Sequence, residues 1–215
     1  DAVTLVFVNG EFSPELSSSD SLPDGIFVGT LAEGAEGFEQ VVKENLAQIA
    51  TYQGKLGSTN DPRFVELNNA LLSEGAFVYV QKNKTLERPI HVVYLNKAEE
   101  KRFTVAPRLL IVLDENAEAK LLESHIGLDG EYLSIPVAEV RLAKSARLEH
   151  SRYQQETLGA YHISNTFVHQ EGQSVYTSNN ANFGGKSARN DINAYVNGEY
   201  AETWLNGANV ATGDQ

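Results

Sequence analysis

An internal repeat in the second half of the chain constrains its fold more than any other feature. Four segments share one layout, in which a strand, a polar turn and a second strand with small or apolar residues at alternate positions follow each other; they are residues 109–123, 138–152, 165–179 and 191–205. With Ala117, Ala146, Gln173 and Glu199 aligned, the spacings are 29, 27 and 26 residues. Such a period is typical of one coil of a β-solenoid.

Alternation along each strand predicts which side chains of the repeat face the interior. Two inward columns are expected, Ala119, Leu148, Val175 and Ala201, followed by Leu121, His150, Thr177 and Thr203. In the strand before the turn, Leu109, Ile111 and Leu113 align with Ala138, Val140 and Leu142, whereas the later two segments fit only after a shift of one residue. We therefore predict a mainly β chain with a parallel β-helix over residues 76–215.

Residues 1–75 have a different pattern, typical of a small α/β region with short strands and two helices. A helical period over residues 38–49 predicts a buried face of Phe38, Val41, Val42, Leu46 and Ile49. The second helix is expected to begin at Asp61–Pro62 and to end at Gly75, with a buried stripe of Phe64, Leu67, Leu71 and Leu72. The apolar runs at 76–80 and 90–95 are predicted strands.

Composition excludes several classes of protein. Lys and Arg number 17 against 29 Asp and Glu, and a net charge of -12 disfavours nucleic acid and anionic membranes as partners. The chain has no Cys, which removes disulfides, thiolate nucleophiles and the usual ligands of iron–sulfur clusters. No apolar run approaches the ~20 residues of a membrane span, and no signal peptide is evident, so we expect a cytoplasmic protein.

Methionine is absent as well, the initiator included. We therefore expect the chain to be a fragment of a longer protein that is cut at one end or at both.

Catalytic motifs are not found. Residues 184–187 read Gly-Gly-Lys-Ser, but a phosphate-binding loop needs glycine at position 180, which is Asn180, and a helix afterwards. A turn between two coils is the better interpretation. The motifs H-E-x-x-H, G-x-S-x-G and C-x-x-C are also missing.

Five histidines are the remaining candidates for metal binding: His91, His125, His150, His162 and His169. Histidines on adjacent coils can converge on one ion, and His150 lies in a predicted inward column, which makes it the candidate metal ligand. A core histidine hydrogen-bonded to a neighbour is the favoured interpretation. The nearby carboxylates of Glu123 and Glu149 are expected on the solvated surface.

A β-helix that binds or cleaves polysaccharides is the alternative, since such proteins place carboxylates and aromatic rings on stacked coils. The carboxylates in question are scattered along the sequence and are expected to be solvated: Asp114, Glu115, Glu139, Glu149, Glu156 and Glu171. The aromatic candidates are Tyr153, Tyr161, Tyr195 and Trp204.

One long stretch resembles a known family. It runs Phe64-x-x-Leu67-Asn68-x-Ala70-Leu71-Leu72-x-x-Gly75-x-Phe77-Val78-Tyr79-Val80-x-Lys82 and continues as Leu86-Glu87-x-Pro89-Ile90-His91-Val92. This is similar to the core signature of the SufB and SufD family. The start, Leu5-Val6-Phe7-Val8-Asn9-Gly10-x-Phe12-Ser13-Pro14-x-Leu16, resembles the SufD branch, and residues 188–191, 205–207 and 213–215 resemble later coils.

The resemblance implies a right-handed parallel β-helix that is truncated here at its C-terminal end and that acts as a non-catalytic scaffold. We therefore assign no catalytic residue and expect the chain not to be an enzyme. It implies SufB and SufC as partners, in the SufBCD complex that assembles and transfers iron–sulfur clusters. An iron–sulfur cluster or iron is expected only in the assembled complex, and no cofactor in this chain alone. Unpaired β-helix edges predict self-association, and the plastid stroma replaces the cytoplasm if the source is a plant or alga.

Overall fold

The computed structural model describes residues 2–19, 22–51, 62–98 and 102–211. These ranges form four short α-helices, α1 Leu31–Gly37, α2 Glu39–Asn45, α3 Gln48–Thr51 and α4 Arg63–Leu71, and a 3-10 helix, Pro14–Leu16. The early strands are β1 Val3–Val8, β2 Glu11–Phe12, β3 Ile26–Thr30, β4 Gly75–Val80, β5 Ile90–Lys97, β6 Phe103–Val105, β7 Arg108–Leu113 and β8 Glu118–Asp129. The later strands are β9 Tyr132–Ser134, β10 Val137–Leu142, β11 Arg147–Glu156, β12 Tyr161–Gln170, β13 Val175–Gly184, β14 Ser187–Val196 and β15 Glu202–Val210.

The strands stack as a β-solenoid of about five coils, which confirms the predicted fold class. Each coil contributes one strand to each of two sheets. Sheet 1 contains β5, β8, β11, β13 and β15, and sheet 2 contains β4, β7, β10, β12 and β14. Neighbouring strands within this stack pair in parallel. Short strands β6 and β9 extend sheet 2 beside β12.

The corner that leads from sheet 2 into sheet 1 has the same backbone conformation in every coil. One residue per coil has φ between 57° and 62°, in the left-handed region: Asn83, Asn116, Ser145, Gln173 and Tyr200. Side chains of this column also bond along the stack, since Asn116 Nδ2 donates to Asn83 Oδ1 at 2.9 Å. The polar turn seen in the repeat is therefore a stacked column of equivalent turns.

The predicted register is correct for the first coils and wrong for the last two. Leu148 pairs with Ala119 and His150 with Leu121, as expected. The next residue in this column is Tyr176, where Val175 is predicted. The last is Thr203, where Ala201 is predicted. Successive coils are thus 29, 28 and 27 residues apart. A slip of one residue moves a side chain to the other face, so the third inward residue is Tyr176.

The N-terminal region closes one end of the solenoid. Strand β1 joins sheet 1 in parallel beside β5, and β3 pairs antiparallel with β4 in sheet 2. The helices cover the outer face of sheet 2, where Leu31 and Val42 pack with Phe77, and Ile49 and Val65 belong to a cluster with Val137 and Phe167. A boundary between residues 75 and 76 stays a prediction. No helix in the described ranges is long and apolar enough to cross a bilayer.

The helices differ from their prediction in two respects. Helix α1 is not predicted; a capping box, in which Thr30 Oγ1 accepts from Glu33 N–H at 3.2 Å, starts it. The expected helix over 38–49 is divided into α2 and α3 by Ala47, whose φ is 61°.

Helix α4 is turned away from its predicted face. Leu67 and Leu71 are 38% and 45% exposed, while Val65 and Asn68 are buried. Asn68 anchors that face, because its Nδ2 donates to the carbonyl oxygens of Pro107 at 3.0 Å and Ile135 at 2.8 Å. Asp61, the predicted start, lies outside the described residues.

A fully buried ion pair ties the helices to the solenoid. Arg108 on β7 donates from Nε to Glu139 Oε1 on β10 at 3.0 Å, and from Nη1 to Asn68 Oδ1 at 2.8 Å. Backbone N–H groups of Ala47 and Ala50 donate to Glu139 at 2.9 and 3.0 Å. Glu139 is therefore buried, which corrects the expectation that it is solvated. Its carboxylate has four donors, two from Arg108 on β7 and two from the backbone of the helical region.

Loss of this buried pair is expected to destabilise the chain far more than loss of a surface ion pair. Arg108→Ala leaves Glu139 charged and buried, so the free energy of unfolding in urea should fall by about 3–5 kcal/mol. The matched control is Arg141→Ala, because the pair of Arg141 and Glu171 is partly exposed and should contribute about 1 kcal/mol or less. Equal losses in the two variants would contradict the anchoring role.

Candidate functional site

The interior of the solenoid changes from apolar to polar along the strands. Near the corner turns the inward residues of β8 are Ala119 and Leu121, and further along the same strand they are Glu123 and His125. Strand β11 changes in the same way, from Leu148 to four buried polar or charged side chains, His150, Arg152, Gln154 and Glu156. One half of the interior therefore contains a buried network of charged and titratable groups.

Glu123 is the centre of the first part of this network. Its Oε1 lies 2.6 Å from His125 Nε2, and its Oε2 lies 3.0 Å from His150 Nε2. His150 Nδ1 is in turn 3.1 Å from the hydroxyl of Tyr176. Tyr94 stacks on the ring of His125 with 4.9 Å between centroids. The group therefore joins four consecutive strands of sheet 1 through their side chains.

His162 on β12 is the centre of the second part. Its Nδ1 lies 2.7 Å from Glu156 Oε2, and its Nε2 contacts Nη2 of Arg152. Gln154 Nε2 also donates to Glu156 Oε2, at 3.1 Å. The rings of His125 and His162 meet edge to face with centroids 4.9 Å apart, so the two parts are in contact.

Both carboxylates of the network are held in the ionised form. Burial by itself would raise the pKa of Glu123, but the charge and hydrogen bond of His125 and the hydrogen bond of His150 hold it well below its usual range. Burial opposes ionisation of Glu156 as well, yet its contacts with His162, His125 and Gln154 lower its pKa to about 2. The interior thus contains two negative charges that need cationic or donor partners.

His162 is neutral for a geometric reason. Arginine has only donors, so the His162 nitrogen that faces Arg152 must be the unprotonated acceptor, and the ring proton lies on Nδ1 towards Glu156. Burial and the charge of Arg152 lower the pKa of His162 to about 4, although Glu156 opposes the shift. A second proton on this ring would place two cations side by side.

These contacts make the network structural in character. Each of Glu123, His125, His150, Arg152, Glu156 and His162 is almost completely buried. Both ring nitrogens of His150, the candidate metal ligand, lie within hydrogen-bond distance of a neighbour. In the described ranges no three His, Cys, Asp or Glu side chains are arranged to hold a metal ion.

Several expectations about single residues need correction. Glu123 and Glu156 are buried in the network and are not solvated, whereas Glu149 is exposed as expected. The signal for Glu123 was available, because alternation from the inward Leu121 gives the same face two residues later. His91 and His169 lie outside this network; His91 Nε2 is 2.9 Å from Ser124 Oγ, and His169 contacts Asn197.

The aromatic candidates do not form one platform. Tyr153 and the exposed Trp204 belong to strands of sheet 1, and Tyr161 and Tyr195 belong to strands of sheet 2. Gly184–Ser187 spans the end of β13 and the start of β14, so this motif is a turn and no helix follows it.

A parallel β-solenoid with an N-terminal α/β cap defines the class of protein, and comparison with known proteins gives the family. Residues 94–215 match the SUF system FeS cluster assembly SufBD core domain, and residues 1–92 match the SufBD protein N-terminal region. The chain belongs to the SufBD family of iron–sulfur cluster assembly proteins.

Relatives with this family name include cyanobacterial and staphylococcal proteins. An iron–sulfur cluster assembly SufBD family protein of Synechocystis sp. is 29% identical over 98% of this chain and 47% of its own length. The chloroplastic protein ABCI7 of Arabidopsis thaliana is 28% identical over 98% of this chain and 44% of its own length. A SufBD family protein of Staphylococcus epidermidis is 27% identical over 76% and 35%, respectively. The chain thus spans about half the length of the first two relatives, and less of the third.

Neutralisation of Glu123 should destabilise the chain strongly. Glu123→Gln removes one acceptor and leaves two buried histidines with an amide, so we expect the free energy of unfolding to fall by about 2–4 kcal/mol. Glu149→Gln on the outer face of β11 is the control and should change it by about 0.5 kcal/mol or less. Urea unfolding at pH 7 measures the stability of the two variants. A small effect of Glu123→Gln, similar to that of Glu149→Gln, would indicate that Glu123 is exposed to solvent.

Stability should fall on acidification because of His162. The unfolded ring accepts a proton below pH 6.5, but the folded ring does so only near pH 4, so the free energy of unfolding decreases between these values. The loss attributable to this group is about 3 kcal/mol. Glu156 adds a further loss below pH 4.5, down to its folded pKa of about 2.

A variant isolates the contribution of His162 to this pH dependence. His162→Gln keeps an acceptor for Arg152 and a donor for Glu156 but does not titrate, so its stability should change less between pH 6.5 and pH 4. His91→Gln, at a half-buried ring outside the network, should retain most of the slope. An equal pH dependence of the free energy of unfolding in wild type and His162→Gln would refute the contribution of His162.

Proposed function

We propose that this chain is a SufD-type scaffold, a non-catalytic subunit of a SufBCD complex that assembles iron–sulfur clusters and transfers them. The single observation that carries the proposal is the match of both SufBD family models, which together account for residues 1–92 and 94–215. The SufD-like sequence motif at residues 5–16 supports the finer assignment, and this motif forms the β1–β2 hairpin at the end of sheet 1.

The absence of cysteine separates the proposed role of this chain from the role proposed for SufB. With no thiolate in 215 residues, this chain lacks the usual ligands for an iron–sulfur cluster, which is the cargo of the complex. SufB is proposed to supply those ligands, and SufC to hold both subunits. The buried network supports an architectural role, since its titratable side chains are engaged with each other and not with the solvent.

A polysaccharide-active β-helix is not favoured. The family match points to cluster assembly, and two of the carboxylates counted for that alternative, Glu139 and Glu156, are buried in ion pairs.

Contacts with partners are proposed at the surface of the last coil. Strand β15 is the terminal strand of sheet 1 in the described part of the chain, and its far edge can pair with another strand. Large apolar side chains are exposed on or next to this coil: Val196, Tyr200, Trp204, Leu205 and Val210. Self-association through this edge is proposed, and the contacts with SufB and SufC are proposed for the longer protein. The proposed compartment is the cytoplasm, or the plastid stroma in a plant or alga.

Light scattering after gel filtration tests the proposal. This chain, and the longest natural protein that contains it, are each mixed with SufB and SufC of the same organism. We expect the long protein to elute with both partners and to form no cluster by itself after anaerobic incubation with iron and sulfide. An unrelated β-helix protein of similar charge is the control. Elution of the long protein apart from both partners would contradict the scaffold role, and a strict monomer mass for this chain at high concentration would contradict edge pairing.

A further inference from the structure

A cleft on the surface borders the buried network, because Tyr132 in its wall interacts with Glu156. It lies where β6 and β9 extend sheet 2 beside the start of β12 and the turn between β13 and β14. Its volume is about 370 Å³, and its walls include Arg102, Phe103, Glu131, Leu133, Tyr161 and Lys186. This size is within the range of pockets that bind small molecules.

Two cationic side chains from distant parts of the sequence meet at this cleft. Arg102 is exposed and pairs with Glu131, with 2.6 Å between Nε and Oε2. Lys186 Nζ lies 5.3 Å from the centroid of the Tyr161 ring. The cleft therefore has two cations and one carboxylate among its lining residues, in a chain with 29 acidic and 17 basic residues. Its local charge is opposite to that of the chain and favours an anion.

The position of Lys186 is fixed by the preceding glycines. Gly184 and Gly185 have φ of 74° and 82°, and a Cβ at Gly184 would lie 2.4 Å from the carbonyl oxygen of Glu156. Lys186 N–H then donates to the carbonyl oxygen of Ala160 at 2.6 Å, which ties the turn to the start of β12. The Gly-Gly-Lys motif thus presents a lysine side chain to the cleft, without the helix of a phosphate-binding loop.

Aromatic rings give the cleft an apolar wall. Phe103 stacks on Tyr132 with centroids 5.4 Å apart and an angle of 25° between the rings, and Tyr132 is buried. Tyr161 is 42% exposed, so part of its ring remains accessible beside Lys186. Leu133 completes the apolar surface. A ring or other flat apolar group fits such a wall, whereas a bare inorganic anion would leave it unused.

We propose that this cleft binds a small aromatic anion, a ligand whose planar ring packs on Phe103 and Tyr161 and whose carboxylate or similar group pairs with Lys186 and Arg102. Arg102 can exchange its present partner, Glu131, for the ligand. The site is distinct from the scaffold function and does not depend on it.

Calorimetric titration of the full chain with 2-naphthoate tests the site. Two matched ligands separate the contributions, because 2-naphthylmethanol keeps the ring without the charge and acetate keeps the charge without the ring. We expect 2-naphthoate to bind about fivefold more tightly than the alcohol and acetate not to bind measurably, with affinity falling as salt screens the charges. Equal affinity of naphthoate and naphthylmethanol, or no binding of naphthoate at millimolar concentration, would overturn the proposal.

Variants locate the binding in this cleft. Lys186→Gln and Arg102→Gln should each weaken naphthoate binding about three- to fivefold, and Phe103→Leu by a similar factor. Lys82→Gln is the control, since this exposed lysine pairs with Glu115 at a corner turn away from the cleft. Both charge variants alter exposed side chains, so unfolding curves that match wild type are expected and verify the fold. Naphthoate binding that is unchanged in the Arg102→Gln, Lys186→Gln double variant would place the ligand elsewhere and reject the site.

Discussion

Parallel pairing between equivalent strands of successive coils is the constraint on which the rest of this structure depends. Because each residue pairs with its equivalent in the next coil, every inward position becomes a column through the interior. The corner turn makes this possible, since one residue per coil adopts the left-handed conformation and returns the chain to the same register. The apolar core and the buried network are both consequences of these columns.

The buried network shows how charges can be accommodated inside such a stack. A buried carboxylate is costly unless donors surround it, and strand pairing supplies those donors from the coils on either side. Glu123 contacts histidines of its own strand and of the next one, and Oε2 of Glu156 contacts a histidine of the opposite sheet and Gln154 of its own strand. Charged groups in this interior therefore specify which coils are neighbours, in addition to any effect on stability.

Much of the architecture could be predicted from the sequence, because alternation and a repeat of nearly constant length are local signals. Leu148 and His150 were placed in the correct columns by these signals alone. The predicted register of the last two coils is wrong because each coil is one residue shorter than the coil before it. The similarity between polar turns does not reveal this difference in length. Helix α4 was misoriented for another reason: the hydrogen bonds of Asn68 determine its buried face, and a hydrophobicity pattern treats asparagine as a surface residue.

The network itself could be predicted only in part. Alternation along β8 and β11 places Glu123, Arg152 and Glu156 inside. Charged residues are mostly exposed in proteins, however, and this general rule predicts the surface for the two glutamates. Contact between His162 and Glu156 depends on how closely the two sheets approach, which no local pattern contains.

The gradual shortening of the coils, at 29, 28 and 27 residues, makes this solenoid a set of unequal parts. Repeat proteins with identical modules can grow by duplication of one module, since each copy presents the same faces to its neighbours. Here a duplicated third coil, β10 and β11, would bring a second His150 and a second Arg152 into the interior, with only one Glu123 for the two histidines and one His162 for the two arginines. The coils of this chain are therefore not interchangeable. Evolution or design could not add a copy of one coil without leaving charged side chains in the interior without their partners.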